Sequence, residues 1–348
     1  MKYGLPYQGS KNKLAERIVS LLPQAEHLID VFCGGCAVSH AALLRGKYPH
    51  IHINDVDWRP VTLFQDALEG KYANEDRWIS REDFFRLKDT DPYVAVVWSF
   101  ANNMRNYLYS KEVEPLKRAI HYAMFYGDYE PGRELGHDFS FIDPIRSLQQ
   151  RYLAIKRYFR NGAPQRQQSF EGGAELPCST GECREVQLQS WNMGGAEYAS
   201  YSVKRPSELQ HLECRNRHTQ IAVQRATPLT AANGGGQKQP VLTASVGDYR
   251  DVYVPDDSVL YLDPPYKGTG EYEKQGDFDY EAFYDWCEKQ EVPVFISSYD
   301  MPADRFRCIE EYSHRSTFAA NSNNAVTERI FIPIHQEPPK RPRQLELF

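Results

Sequence analysis

Leu28-Ile29-Asp30-Val31-Phe32-Cys33-Gly34-Gly35-Cys36-Ala37 is the stretch whose reading decides the fold. Leu28 to Phe32 reads as a buried strand. Gly34 and Gly35 make a tight turn into a helix over Ala37 to Leu44 that ends near Gly46. Working outward, Ile51-His52-Ile53-Asn54-Asp55 predicts a second short strand, and a helical stretch follows around Pro60 to Leu68. Upstream, residues 10–22 predict an opening helix with Ser10 as its N-cap. Leu14, Ile18, Leu21 and Leu22 fall at helical spacing, and Pro23 closes it. Strand, turn, helix, strand, helix is the signature of a parallel α/β domain.

The same grammar returns late in the chain. Val259-Leu260-Tyr261-Leu262-Asp263 predicts a strand ending in Pro264-Pro265, Pro293 to Ser297 another, and Arg329 to Ile334 a third. Between the two α/β parts, residues 96–160 look helical and aromatic-rich. Residues 161–245 are rich in Gln, Gly, Ser and Arg and show no strong periodicity. The expected organisation is a discontinuous α/β domain over 1–95 and 245–335, an inserted domain over 96–244, and a tail over 336–348.

Composition supports a globular reading. A chain of 348 residues suggests about two domains, and 41% apolar with 25% charged residues excludes collagen, coiled coil and wholesale disorder. No apolar run approaches the roughly 18 residues of a membrane span. Met1 to Pro6 lacks the long apolar core of a signal peptide, and seven scattered cysteines fit a reducing compartment. A cytoplasmic protein without membrane contact is expected. The net charge of −6 hides an asymmetry: residues 96–244 hold 18 basic and 14 acidic residues, net +4, against −10 elsewhere. A polyanion would meet the middle more easily than the rest, although a soluble surface explains the same charge.

Glycines where a strand feeds a helix let a ligand approach the backbone and the helix N-terminus. Asp55, 20 residues after Gly35, can bond both ribose hydroxyls of a nucleoside cofactor. The G-x-G-x-x-G fingerprint of NAD sites is absent, whereas S-adenosylmethionine carries no phosphates and needs only the turn and the acid. The alternative is that Asp55 caps the following helix. Cys33-x-x-Cys36 reads as small residues packing the turn, against redox or metal alternatives. Cys178, Cys183 and Cys214, with His211 and His218 nearby, are a zinc alternative in the insert. No metal is expected.

Asp263-Pro264-Pro265-Tyr266 is the sharpest signal. It follows an apolar strand, at the carboxyl end where open α/β sheets bind ligands. Asp263 and the Pro264 carbonyl can accept the two hydrogens of an exocyclic amino group. That frees the nitrogen lone pair from conjugation and makes it a nucleophile. Tyr266 offers a face for stacking a flipped base, and a methyl sulfonium in line would be attacked directly. The plain alternative is a proline-rich turn.

These motifs, in this order, resemble the Dam-type DNA adenine N6-methyltransferases of the α arrangement. Pro6-Tyr7-Gln8-Gly9-Ser10-Lys11 resembles that family's first motif and Phe32-Cys33-Gly34-Gly35-Cys36 its cofactor loop. Asn54-Asp55 resembles its ribose-binding acid, and Asp263-Pro264-Pro265-Tyr266 its catalytic motif unchanged. The match covers about 1–70 and 245–335, roughly half the chain. The resemblance implies a Rossmann-like methyltransferase sheet with an inserted, mainly helical target-recognition domain. It implies S-adenosyl-L-methionine as cofactor and double-stranded DNA as partner. By resemblance Tyr7, Lys11, Asp55 and Asp263 contact the cofactor. Phe32, Gly34 and Gly35 of the loop, with Asp30 just before it, also bind the cofactor, and Asp248 lies near its adenine ring. Two departures stand out. Cys33 and Cys36 replace the usual small residues, and the insert does not match the recognition domain of GATC-methylating members. Methylation of cytosine N4 or an RNA base, or a non-catalytic DNA-binding module, remain open alternatives.

Within the insert, Asn102, Asn103, Arg105, Asn106 and Tyr107 cluster groups able to read base edges, or line a helix surface. Arg146, Arg151, Lys156, Arg157 and Arg160 have spacings that suit one helix face gripping phosphates, or a solvated face. The tail pairs a basic, proline-rich linker, Glu337 to Arg343, with Gln344-Leu345-Glu346-Leu347-Phe348. The latter resembles the short peptide that bacterial proteins insert into the replicative sliding clamp. Leu347 and Phe348 would supply apolar anchors and Gln344 a hydrogen-bonding handle, with Leu345 also in the partner-binding peptide.

Overall fold

The computed structural model describes residues 3–72, 74–160, 240–266, 278–315 and 325–339. Two compact units form, Met1–Tyr72 with His218–Phe348, and Ala73–Arg217. The first is α/β and Rossmann-like. Its strands are β1 (His27–Asp30), β2 (His50–Asp55), β3 (Val241–Val246), β4 (Ser258–Leu262), β5 (Val294–Ser298), β6 (Phe306–Arg315) and β7 (Ala325–Pro333). They lie in the order β3-β2-β1-β4-β5-β7-β6. The first five run parallel, and β7 and β6 add an antiparallel hairpin at one edge. Every residue of β4 and β5 is buried. Central parallel strands covered on both faces need such unbroken apolar runs, so these were legible.

Helices α1 (Ala15–Leu21), α2 (Ala37–Arg45) and α3 (Trp58–Leu68) belong to this unit, with a later helix, Tyr280–Glu288. The expected N-cap at Ser10 is corrected. α1 starts at Ala15 behind Leu14 without a side-chain cap, while the Ser10 amide donates to the Tyr7 carbonyl. The reason is tertiary: residues 3–11 are held by α2, the glycine turn and two carboxylates, and those contacts override local capping preference. The aperiodic reading of 161–245 is also corrected at its end, because Val241–Val246 is β3, in register with His50–Asp55. As an edge strand with exposed Val241 and Val246 it shows little burial pattern. The amphipathic β6 was likewise not expected.

The second unit holds α4 (Arg81–Leu87), α5 (Pro92–Val97), α6 (Glu114–Tyr126), α7 (Glu130–Glu134) and α8 (Leu148–Arg160). Its described part is helical, built on buried aromatics such as Trp98, Tyr107, Tyr109 and Phe139. Residues 74–95, expected with the α/β domain, lie in this unit. Among the described residues no helix is long and apolar enough to cross a membrane.

Candidate active site

The strand order places three acids along one edge of the sheet. Asp30 ends β1, Asp55 ends β2, and Asp263 directly follows β4. β1 and β4 are neighbours from which the chain departs in opposite directions, which is the switch point where open α/β sheets bind ligands. Asp57, not Asp55, caps α3, accepting from the Arg59 amide at 3.0 Å. Asp55 instead accepts from the Gly34 amide at 2.8 Å and the Asp57 amide at 3.0 Å. The helix-cap alternative for Asp55 is thereby overturned.

The N-terminal segment lies across the glycine turn. The Leu5 amide donates to the Gly35 carbonyl at 2.7 Å, and the Gly4 amide to His40 Nδ1 at 2.8 Å. A Cβ at Gly34 would stand 2.9 Å from Tyr7 Cε1, and one at Gly35 would stand 2.7 Å from Tyr7 Cβ. The turn needs glycine there because Tyr7 occupies the space a side chain would fill. This segment also delivers Lys11.

Lys11 is buried, with 8% of its side chain exposed. Its Nζ lies 2.8 Å from Asp263 Oδ2, 3.2 Å from Glu328 Oε1 and 3.3 Å from the Gly9 carbonyl. Those three partners match the three donors of an ammonium. Burial opposes its charge, but the two carboxylates outweigh burial and raise its pKa. The Tyr266 hydroxyl donates to Asp263 Oδ1 at 3.1 Å and also bonds Glu328. Its ring faces Lys11 at 5.0 Å and meets Tyr299 edge-on at 4.4 Å. Ser297 donates to Glu328 at 2.8 Å, and Tyr280 to the Pro265 carbonyl at 3.2 Å. Burial pushes the Asp263 carboxyl up to about 6, with Lys11 opposing and Glu328 adding to the rise. Glu328 goes the other way: burial would raise it, but Lys11, Tyr266 and Ser297 together hold it below its usual value.

Asp30 is buried. Ser39 donates to its Oδ2 at 2.6 Å, and its Oδ1 has no hydrogen-bond partner among the described residues. Burial drives its carboxyl up to about 7. Phe32 turns its ring into an aromatic cluster with Tyr249, Phe278 and Phe283, leaving only its backbone to the loop. Gly247, just before Asp248, donates its amide to the Asp55 carbonyl at 3.1 Å, and Asp248 itself binds Arg250. The thiols of Cys33 and Cys36 are buried, and burial raises both pKa values, so they pack the turn as neutral groups. Among the described residues no cluster of three or more potential ligands suits a metal.

In the second unit the expected DNA-reading residues separate. The 101–104 turn is not a helix surface: Ala101, Asn102 and Met104 all have φ between 50° and 60°. Asn102 is buried and donates to the Val96 carbonyl at 2.9 Å, and Tyr107 is buried and donates to the Ile79 carbonyl at 2.7 Å. Both hold the turn. Arg105 is exposed and Asn103 half-buried. Arg151 uses its guanidinium on the Ile145 and Met124 carbonyls, both at 2.6 Å, whereas Arg157 and Arg160 on α8 are exposed. The residues of the zinc alternative (Cys178, Cys183, Cys214, His211, His218) and the tail residues Gln344, Leu345, Leu347 and Phe348 lie outside the described residues. The reading from sequence missed Glu328 and Ser297. Glu328 carries only a faint signal, an acid two residues before the apolar run Ile330-Phe331-Ile332 of β7.

Residues 7–130 match the model of the D12 class N6 adenine-specific DNA methyltransferases. None of the curated proteins compared with the chain matches it. Two solved structures of the rRNA methyltransferase aviRa from Streptomyces viridochromogenes are similar at 12% identity, covering 92% of this chain and 82% and 84% of theirs. Their TM-scores are 0.31 and 0.30, at which the likeness carries no argument about fold or substrate.

Proposed function

We propose that this chain, a DNA (adenine-N6)-methyltransferase, moves a methyl group from S-adenosyl-L-methionine directly to N6 of an adenine flipped out of the duplex. The observation that carries the reading is Asp263, held by Lys11 at the switch point and followed by two prolines, beside the bare Oδ1 of Asp30. When bound, S-adenosylmethionine supplies an electrophilic methyl group on a sulfonium. The residues present fit such a group. Asp30, Asp55 and Asp263 stand at strand ends along one edge of the sheet, and acids there favour a cation. Asp30 Oδ1 can accept from the amino group of the methionine part, and Asp55 from the ribose hydroxyls.

Asp263 and the Pro264 carbonyl accept the two N6 hydrogens and so release the lone pair. Proline at 264 and 265 removes competing amide donors and stiffens the turn. Tyr266 and Tyr299 supply aromatic faces for the extruded base. The fixed acceptors lower the barrier by orientation and by stabilising charge that develops on N6. The second unit would read the target, with Arg105 presented by a strained turn and Arg157 gripping phosphate. Residues 344–348 would bind the sliding clamp; their deletion should abolish clamp binding and leave methylation of naked oligonucleotides unchanged.

The testing experiment is transfer of labelled methyl to mixed-sequence double-stranded DNA, followed by nucleoside analysis, for the wild type and Asp263→Ala. N6-methyladenine that disappears in the variant, with DNA binding retained, is expected. Full activity in the variant, or label only in N4-methylcytosine or RNA, would overturn the reading.

A further inference from the structure

The transfer reading leaves one buried carboxylate without a part. Glu328 has 6% of its side chain exposed, yet a single oxygen of it, Oε1, meets Lys11, Ser297 and the Tyr266 hydroxyl. β7 runs antiparallel to β5, so its early residues reach the edge where the parallel strands end, and Glu328 arrives opposite Asp263.

We propose that Glu328 is a positioning residue for methyl transfer: by sharing Lys11 and the Tyr266 hydroxyl it leaves Asp263 an oxygen able to accept, and then keep, an N6 proton. The inference rests on the reading that Asp263 holds the N6 amino group.

The proton balance shows why such a residue is needed. When the N6 lone pair forms the new N–C bond, the methyl–sulfur bond breaks and its electron pair stays on sulfur. N6 then carries a positive charge and two hydrogens, one of which must leave as a proton. Asp263 is the accepting group in contact with it. Paired with Lys11 alone at 2.8 Å, a carboxylate would be a poor proton acceptor. Two carboxylates sharing one ammonium cannot both be neutralised by it, so a proton belongs to the one with fewer donors. The two acids share Lys11 and the single O–H of Tyr266, and Glu328 Oε1 has Ser297 in addition, so Asp263 is the one with fewer donors.

The surrounding groups agree. Asp263 is faced by Lys11 from the N-terminal segment, Asp30 at the end of β1, Tyr261 within β4, Tyr266, Tyr299 after β5 and Glu328 on β7. Lys11 is the one cation among them, and it is already divided between two acids.

The test is the pH dependence of single-turnover transfer in Glu328→Gln, with cofactor affinity and melting temperature measured on the same sample. Removing the second negative charge strengthens the hold of Lys11 on Asp263 and lowers its proton affinity. The acid limb of the rate profile should therefore move to lower pH, and the plateau rate should fall on the order of tenfold or more, with cofactor affinity little changed. Ser297→Ala removes one donor that keeps Glu328 ionised and should move the limb the same way by less, which covers the case in which Glu328→Gln folds poorly. An unmoved limb, or a rate loss equal at every pH, would overturn the inference. If Asp263→Ala also stays active, the failure lies in the parent reading; if it is dead while the limb is unmoved, the failure lies with Glu328 alone.

Discussion

Replacing Lys11 by methionine keeps the volume of the side chain and removes the one ammonium held by Asp263 and Glu328. Deleting one partner of a buried ion pair leaves an uncompensated charge and costs about 3–5 kcal/mol. The cost depends on pH. Lys11 pulls the Asp263 carboxyl down against burial, and it still stands at about 6 with the lysine present. Without Lys11 it rises further above the unfolded value of roughly 4. A group whose folded pKa is raised binds more protons folded than unfolded, so its stabilising share is present at low pH and lost as pH rises through the window. Lys11 itself stays charged throughout that window, because its folded pKa is raised. The deficit of the variant should thus be full near neutrality and should shrink towards pH 4, where both carboxyls can be neutral. With a fall of about 2–4 °C per kcal/mol for domains of 150–250 residues, and less for a longer chain, the melting temperature should drop by roughly 6–10 °C at pH 7. Thermal melts of the cofactor-free protein at neutral and mildly acid pH read this directly. An equal drop at both, or none, would refute the view of Lys11 as the counter-ion of two buried acids.

Gly35→Ala places a Cβ 2.7 Å from Tyr7 Cβ and 3.0 Å from the Leu5 carbonyl oxygen, so the N-terminal segment must shift. A stability loss of about 1–3 kcal/mol in denaturant titration and weaker cofactor binding by calorimetry are expected, and an unchanged affinity would show that Tyr7 does not shape the cofactor site. Arg151 and Arg157 should behave oppositely despite sharing α8. Arg151→Ala loses two hydrogen bonds from a charged donor, each worth about 1.5–3 kcal/mol, and should lower the melting temperature. Arg157→Ala should leave stability unchanged and reduce the salt dependence of DNA binding by about one unit of slope; a melting change there would reassign it to structure.

The legible parts of the chain were those whose signal is local. The apolar run Leu28–Phe32 and its glycines, the strand around Val259–Leu262 and the helix after Ala37 all announce themselves within a few residues. So did the acids at strand ends, because a ligand site at a parallel sheet sits where strands run out. The edge strands were harder. β3 and β6 are partly exposed, and their residues carry no unbroken apolar run. The chemistry of Asn102 and Tyr107 suits base reading and that of Arg151 suits a phosphate grip. Only their partners, the carbonyls of Val96, Ile79, Ile145 and Met124, show that their polar ends are used inside the unit.

The sequence by itself determined the α/β class, the order of glycine turn, Asp55 and Asp263-Pro264-Pro265-Tyr266, and with them the chemistry to expect. Tertiary structure alone decided that Tyr7 fills the space over Gly34 and Gly35, and that Lys11 serves two carboxylates rather than one. It also brought Glu328 to the active edge, through an antiparallel strand at the far end of the chain. The physical reason is range. Periodicity and turn chemistry are set by neighbours in sequence, whereas the counter-ion of a buried charge is set by whichever strand the sheet lays beside it.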